Sequence, residues 1–240
     1  MTSEDGKNYY KERLPRLMKE YGTHEEQLAR VLASYLDESK TSDLLREVRD
    51  AVEALILELP YIGGDANPTT RFLLDSAYAL PLFLALEREG ISIRDMANIL
   101  YLVNESVLQL TPPEERRQLG EFYFTAQMMD IVKKESVKSR LRIFPEDWVY
   151  EFVEGDGENF DYGYDLTECG IVKFYRKHKA ERFVSILCLM DYASYGALGV
   201  GFRRTQRLST GDPFCDFRFG KDFATPRGWP PDDLEETFPF

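Results

Sequence analysis

Histidine is nearly absent from this chain: His24 and His178 are the two in 240 residues, which excludes a histidine-rich metal centre. Cysteine is scarce and unpaired in pattern. Cys169, Cys188 and Cys215 form no CxxC and are odd in number, which fits a reducing compartment better than a disulfide scaffold. No GxGxxG, Walker A, GxSxG or HExxH motif occurs, so no cofactor and no metal is expected. The longest strongly apolar run, Ala77 to Leu86, is ten residues with Pro81 inside it, against the roughly 20 that span a bilayer. The opening MTSEDGKNYY lacks the apolar core of a secretory signal. A protein away from membranes, in the cytoplasm, is therefore expected. Positive charge is also in deficit: 30 Lys and Arg against 42 Asp and Glu leave a net charge of −12, the wrong sign for sequence-independent nucleic-acid binding.

What is present is enough apolar material, 43% of the chain, for a sizeable core. The first 144 residues read as a helical region. Apolar positions Leu28, Val31, Leu32, Tyr35 and Leu36 predict a helix over 25–36, with Thr23 and Glu26 as a capping box. Leu44, Leu45, Val48, Val52, Ile56 and Leu59 predict another over 43–59, stopped by Pro60. A Gly- and Pro-rich loop follows, then a buried helix over 71–88 bent at Pro81, a helix from Ser92 to about Leu110, and one from Pro112 to about Lys134.

After Phe144 the pattern changes. Alternation over 148–154 and 160–164 around EGDGEN predicts a hairpin, 167–177 and 181–198 two helices, and 200–208 with 214–219 a second strand pair. The order, helices followed by ββααββ, predicts an α+β fold with helices on an antiparallel sheet. Residues 145–230 would form the motif-bearing region, continuous with the helices as one domain. Residues 231–240 would be an acidic tail, either a solvated arm or a segment docking on a second copy of the chain in a homo-oligomer.

Charge is unevenly spread over this half: 145–168 holds nine acidic residues and no basic one, while 170–210 holds eight basic and two acidic. Arg203, Arg204, Arg207, Arg218 and Lys221 cluster near the last hairpin, where they either hold a small anion or pair with the acidic hairpin. Cys169 opens a predicted helix, where backbone N–H groups favour a thiolate. Cys188, Asp191 and Tyr195 fall on one helix face, placing a thiol, a carboxylate and a phenol in a row. Each thiol also has a plain packing role open to it, since free cysteine is among the most buried residue types. The wide separation of the three thiols matches no compact zinc knuckle.

The residues Thr167-Glu168-Cys169, Cys188-x-x-Asp191-Tyr192, Arg204-Thr205 and Gly211-Asp212-x-x-Cys215-Asp216-Phe217 together resemble the signature region of the L-2-amino-thiazoline-4-carboxylic acid hydrolase family. Upstream, LPYIGGDANPTT is similar to a Gly-Gly/Asn loop of that family. The Gly-Asp-x-x-Cys-x-Phe ending is also similar to vinyl-reductase-type ligand-binding domains, which enclose a small molecule with a helix pair on a sheet.

The first resemblance implies hydrolysis of a small carboxylated cyclic amidine, with water adding to the ring carbon between sulfur and nitrogen. It implies Cys188 as nucleophile or pocket wall, and Asp191 and Glu168 as amidinium contacts or proton shuttles. Arg204 would hold the substrate carboxylate, Cys169 and Cys215 would line the site, and Asn67 with the backbone of Gly63 to Asp65 would cover it. The second resemblance implies the same pocket without chemistry.

Overall fold

The computed structural model describes residues 3–226, with side chains from residue 8 onward. The acidic tail at 231–240 lies outside them. The chain divides into two compact units, Met1–Val107 and Leu108–Phe240, so the helices just before the first hairpin group with the sheet and not with the N-terminal helices.

In the first unit, α1 runs Ser3–Leu32 as one helix. The expected start at Thr23 is overridden because Tyr10, Leu17, Tyr21, Leu28 and Leu32 are all buried, a stripe of helical period that continues through the capping box. Helix α2 (Glu38–Ile56) begins earlier than its apolar pattern, where Asp37 accepts the N–H of Lys40 at 2.9 Å as N-cap. Helix α3 (Thr70–Arg88) contains Pro81 and is buried nearly all round, as its sequence predicts, and α4 spans Ile93–Gln109.

The second unit opens with α5 (Pro113–Phe122) and α6 (Ala126–Ser139), where one helix was expected. The break falls where the Thr125 hydroxyl accepts the N–H of Met128 at 3.2 Å and caps a new helix. Strands β1 (Val149–Glu154) and β2 (Tyr162–Glu168) form the expected hairpin. After α7 (Gly170–Lys177) and α8 (Val184–Ala197), β3 covers only Gly201–Arg203 and β4 covers Cys215–Gly220. The four strands form one antiparallel sheet in the order β1-β2-β4-β3.

Register sorts the sheet into two faces. Tyr164 opposes Phe217, Leu166 opposes Cys215 and Phe202 opposes Phe219, so aromatic rings and the Cys215 thiol share the inner face. Tyr164 stacks on Phe217 at 4.6 Å, and Tyr192 and Tyr195 of α8 meet Phe202 at 5.0 and 4.9 Å. The outer face carries Asp165 paired with Arg218 at 2.8 Å. Gly120 of α5 packs on the end of α8: a Cβ there would lie 2.0 Å from the Leu198 carbonyl oxygen. That close approach brings Tyr123, just after α5, edge-on to Tyr195 at 5.6 Å.

Candidate active site

The site is built by α8, β3 and the segment joining β3 to β4. Asp191 sits in the middle of α8. Arg204 follows β3, and its Nη1 donates to Asp191 Oδ2 at 2.6 Å while Nη2 donates to the Cys188 carbonyl. The Arg204 side chain is 1% exposed, rests against the rings of Phe217, Phe202 and Tyr192, and leaves its Nε buried without a partner. Asp191 keeps 32% of its side-chain surface open, yet burial raises its pKa above the usual carboxylate value, with Arg204 pulling it back. About a third of the carboxyl side chain is thus open while the groups around it desolvate its charge.

Four phenols lie within electrostatic reach of this carboxylate. Its charge reaches Tyr123, Tyr164, Tyr192 and Tyr195, and burial holds each of them above the ordinary phenol range. Tyr164 and Tyr195 hydrogen-bond to one another. Tyr195 was legible from its spacing to Asp191. Tyr164 was not, because its place beside α8 depends on strand pairing between β2 and β4; its inward position in the alternating run Tyr162-Gly163-Tyr164 is the one local signal.

The three thiols lie within electrostatic reach of one another. Burial pushes Cys169 up to about 12 and Cys215 up to about 11, and raises Cys188 as well; the Cys188 charge is felt at both of the others. Cys169 is the N-cap of α7, and the N–H groups of Ile171 and Val172 do act on its sulfur, but burial outweighs them and the expected thiolate does not form. Gly170 contributes to that enclosure, since a Cβ there would meet the Trp148 ring at 2.6 Å. Cys188 donates to Ser209 Oγ at 3.4 Å, and Cys215 Sγ accepts the N–H of Leu208 at 3.2 Å. Among the described residues no three of the His, Cys, Asp and Glu side chains stand where they could hold a metal ion.

Glu168 is placed differently. It ends β2 and accepts Lys173 Nζ at 2.6 Å and Arg142 Nε at 2.8 Å, and these two cations hold its carboxyl below the usual range. Such a group stays ionised at neutral pH and is poorly suited to the expected proton shuttle. Arg204, expected to meet a substrate carboxylate, is instead engaged by Asp191. Asn67 belongs to the first unit, where its amide shapes its own loop: Nδ2 donates to the Ile62 carbonyl at 2.5 Å and Oδ1 accepts Thr69 Oγ1 at 2.7 Å.

Helices covering one aromatic face of an antiparallel sheet define an α+β protein, and the Asp191–Arg204 ion pair gives that face its polar centre. Residues 79–219 match the family described as L-2-amino-thiazoline-4-carboxylic acid hydrolase, and the chain belongs to that family. The match contains Glu168, Cys169, Cys188, Asp191, Arg204 and Cys215 and excludes Asn67. No curated protein and no solved structure matches the chain. Among the described residues no helix is long and apolar enough to cross a membrane.

Proposed function

We propose that the protein is a hydrolase that opens the ring of a small carboxylated cyclic amidine resembling 2-amino-thiazoline-4-carboxylate. The observation that carries this reading is the Asp191–Arg204 pair, whose partly open carboxyl is raised by burial and stands within electrostatic reach of four phenols. Asp191 accepts a proton from water as the water oxygen bonds to the ring carbon between sulfur and nitrogen. In that addition the π pair of the amidine C=N moves onto its nitrogen, which takes up one proton; the adduct's hydroxyl then gives up its proton as the carbonyl forms, the bond from that carbon to ring nitrogen or ring sulfur breaks with its electron pair on the departing atom, and that atom takes up the second proton. The Tyr164–Tyr195 phenols, protonated at neutral pH, are the donors at hand. One water is consumed and a carbamoyl-cysteine is formed. Arg204 holds Asp191 in place, and Cys188, a neutral thiol, walls the site.

Incubation with 2-amino-thiazoline-4-carboxylate and related amidines, wild type beside Asp191→Asn and Cys188→Ala, tests the reading. Asp191→Asn should lower kcat at least about 100-fold, whereas Cys188→Ala should retain it within about tenfold, because a neutral thiol is a weak nucleophile. Unchanged turnover in Asp191→Asn overturns the assignment. One observation favours a second reading, a binding module without chemistry: the thiols and phenols of this region are all held neutral. Tight binding of an amidine that is never opened would favour it.

A further inference from the structure

Five cations cluster after α8, and four have a partner side chain. Arg204 pairs with Asp191, Arg218 pairs with Asp165, Arg203 lies over the Phe223 ring at 3.8 Å, and Lys221 lies over the Phe124 ring at 5.6 Å. Among the described residues Arg207 alone of the five has neither an acidic side chain nor a ring against its guanidinium. Its backbone, by contrast, is tightly held. Its N–H donates to Asp212 Oδ2 at 2.7 Å, and its carbonyl accepts Thr210 N at 3.1 Å, Thr210 Oγ1 at 3.0 Å and Asp212 N at 3.2 Å. The next residue, Leu208, is tied to the Cys215 sulfur. This turn fixes the root of Arg207 and leaves its charge unspent.

The turn that carries Arg207 packs against α8, and the Arg207 charge is felt at Cys188 and Tyr192. Two residues on, the Ser209 Oγ accepts the S–H of Cys188 and keeps its own proton to donate. We propose that Arg207 and Ser209 form the subsite that takes the carboxylate of the ligand. The proposal rests on the hydrolase reading for the identity of that ligand. A guanidinium fork with a neighbouring hydroxyl matches a carboxylate in charge and geometry. Cys188, next to this subsite, precedes Asp191 by three residues on α8, a rise of about 5 Å. That is the scale of a five-membered ring with its carboxylate, so an acid held by Arg207 brings its ring toward Asp191.

Calorimetric titration of wild type, Arg207→Gln and Arg207→Lys with 2-amino-thiazoline-4-carboxylate and with 2-aminothiazoline, which lacks the carboxylate, tests the subsite. Wild type should bind the acid more tightly than the parent. Arg207→Gln should weaken the acid by about tenfold or more, consistent with loss of a charge-assisted pair, and the parent by less than about twofold; Arg207→Lys should fall between, because a point charge replaces the fork. Equal loss for both ligands, no loss for the acid, or no binding of the acid by wild type overturns the subsite. Ring opening, followed separately, divides the two claims: an acid bound through Arg207 but not opened overturns hydrolysis alone, and turnover with the acid's affinity unchanged in Arg207→Gln overturns the subsite alone.

Discussion

The end of β2 and the middle of α8 each hold a carboxylate against an arginine, with opposite results. At the first, Glu168 is shared by Lys173 and Arg142, both partly exposed, and its pKa is lowered. At the second, Asp191 meets an Arg204 that is fully enclosed among rings, and its pKa is raised. Contact with a cation is common to both, so it does not decide the shift. Desolvation does: where the partners stand in water the cations win, and where the partner lies inside the fold the cost of burying charge exceeds what the partner returns. The exposed pair ties a strand to a helix. The enclosed pair leaves a carboxylate able to exchange a proton.

The comparison can be broken at either carboxylate. Arg204→Met should have the largest effect on stability, about 3 kcal/mol at neutral pH, because it leaves a desolvated carboxylate and the Cys188 carbonyl without their donor. Part of that loss should return on acidification as Asp191 takes up a proton, which chemical denaturation at several pH values would read. Glu168→Gln should cost about 1 kcal/mol or less, since a partly exposed pair is screened. Its contribution has the opposite pH sign. A lowered carboxyl stabilises the fold above its ordinary pKa, near 4.5, and loses that as pH falls, so wild type and variant should converge in acid. Turnover should stay within about threefold of wild type in Glu168→Gln if the group only braces the hairpin.

The smallest effect at neutral pH belongs to the thiols. Held neutral, Cys169 and Cys215 should react with iodoacetamide at pH 8 more slowly than a free cysteine. Raised pKa values also mean that stability falls as pH rises above the ordinary thiol value near 9 and on toward 11 and 12. Rapid alkylation of folded protein at pH 8 would contradict the burial assigned to them.

Much of this arrangement is legible in the sequence. The alternation of Tyr162, Tyr164 and Leu166, and of Cys215, Phe217 and Phe219, marks strands with one aromatic face, and the spacing of Cys188, Asp191 and Tyr195 marks a helix face. What spacing does not carry is pairing across the fold. The registry that puts Leu166 opposite Cys215 is long-range, as is the contact that joins Arg204 to Asp191. Glu168 therefore looked equivalent to Asp191, both being acidic residues beside a cysteine motif, and only their surroundings separate them. The thiolate that a helix N-terminus predicts at Cys169 is absent for a related reason. A helix N-terminus is visible in sequence, whereas the Trp148 ring packed over Gly170 is not.

The most direct measurement is a carbon NMR titration of the side-chain carboxyls, assigned with Asp191→Asn and Glu168→Gln. The account predicts that Asp191 titrates above the ordinary aspartate value of 3.8 and Glu168 below the ordinary glutamate value of 4.5. An Asp191 that titrates below 3.8, or a Glu168 that titrates above 4.5, would reverse the roles assigned to the two carboxylates.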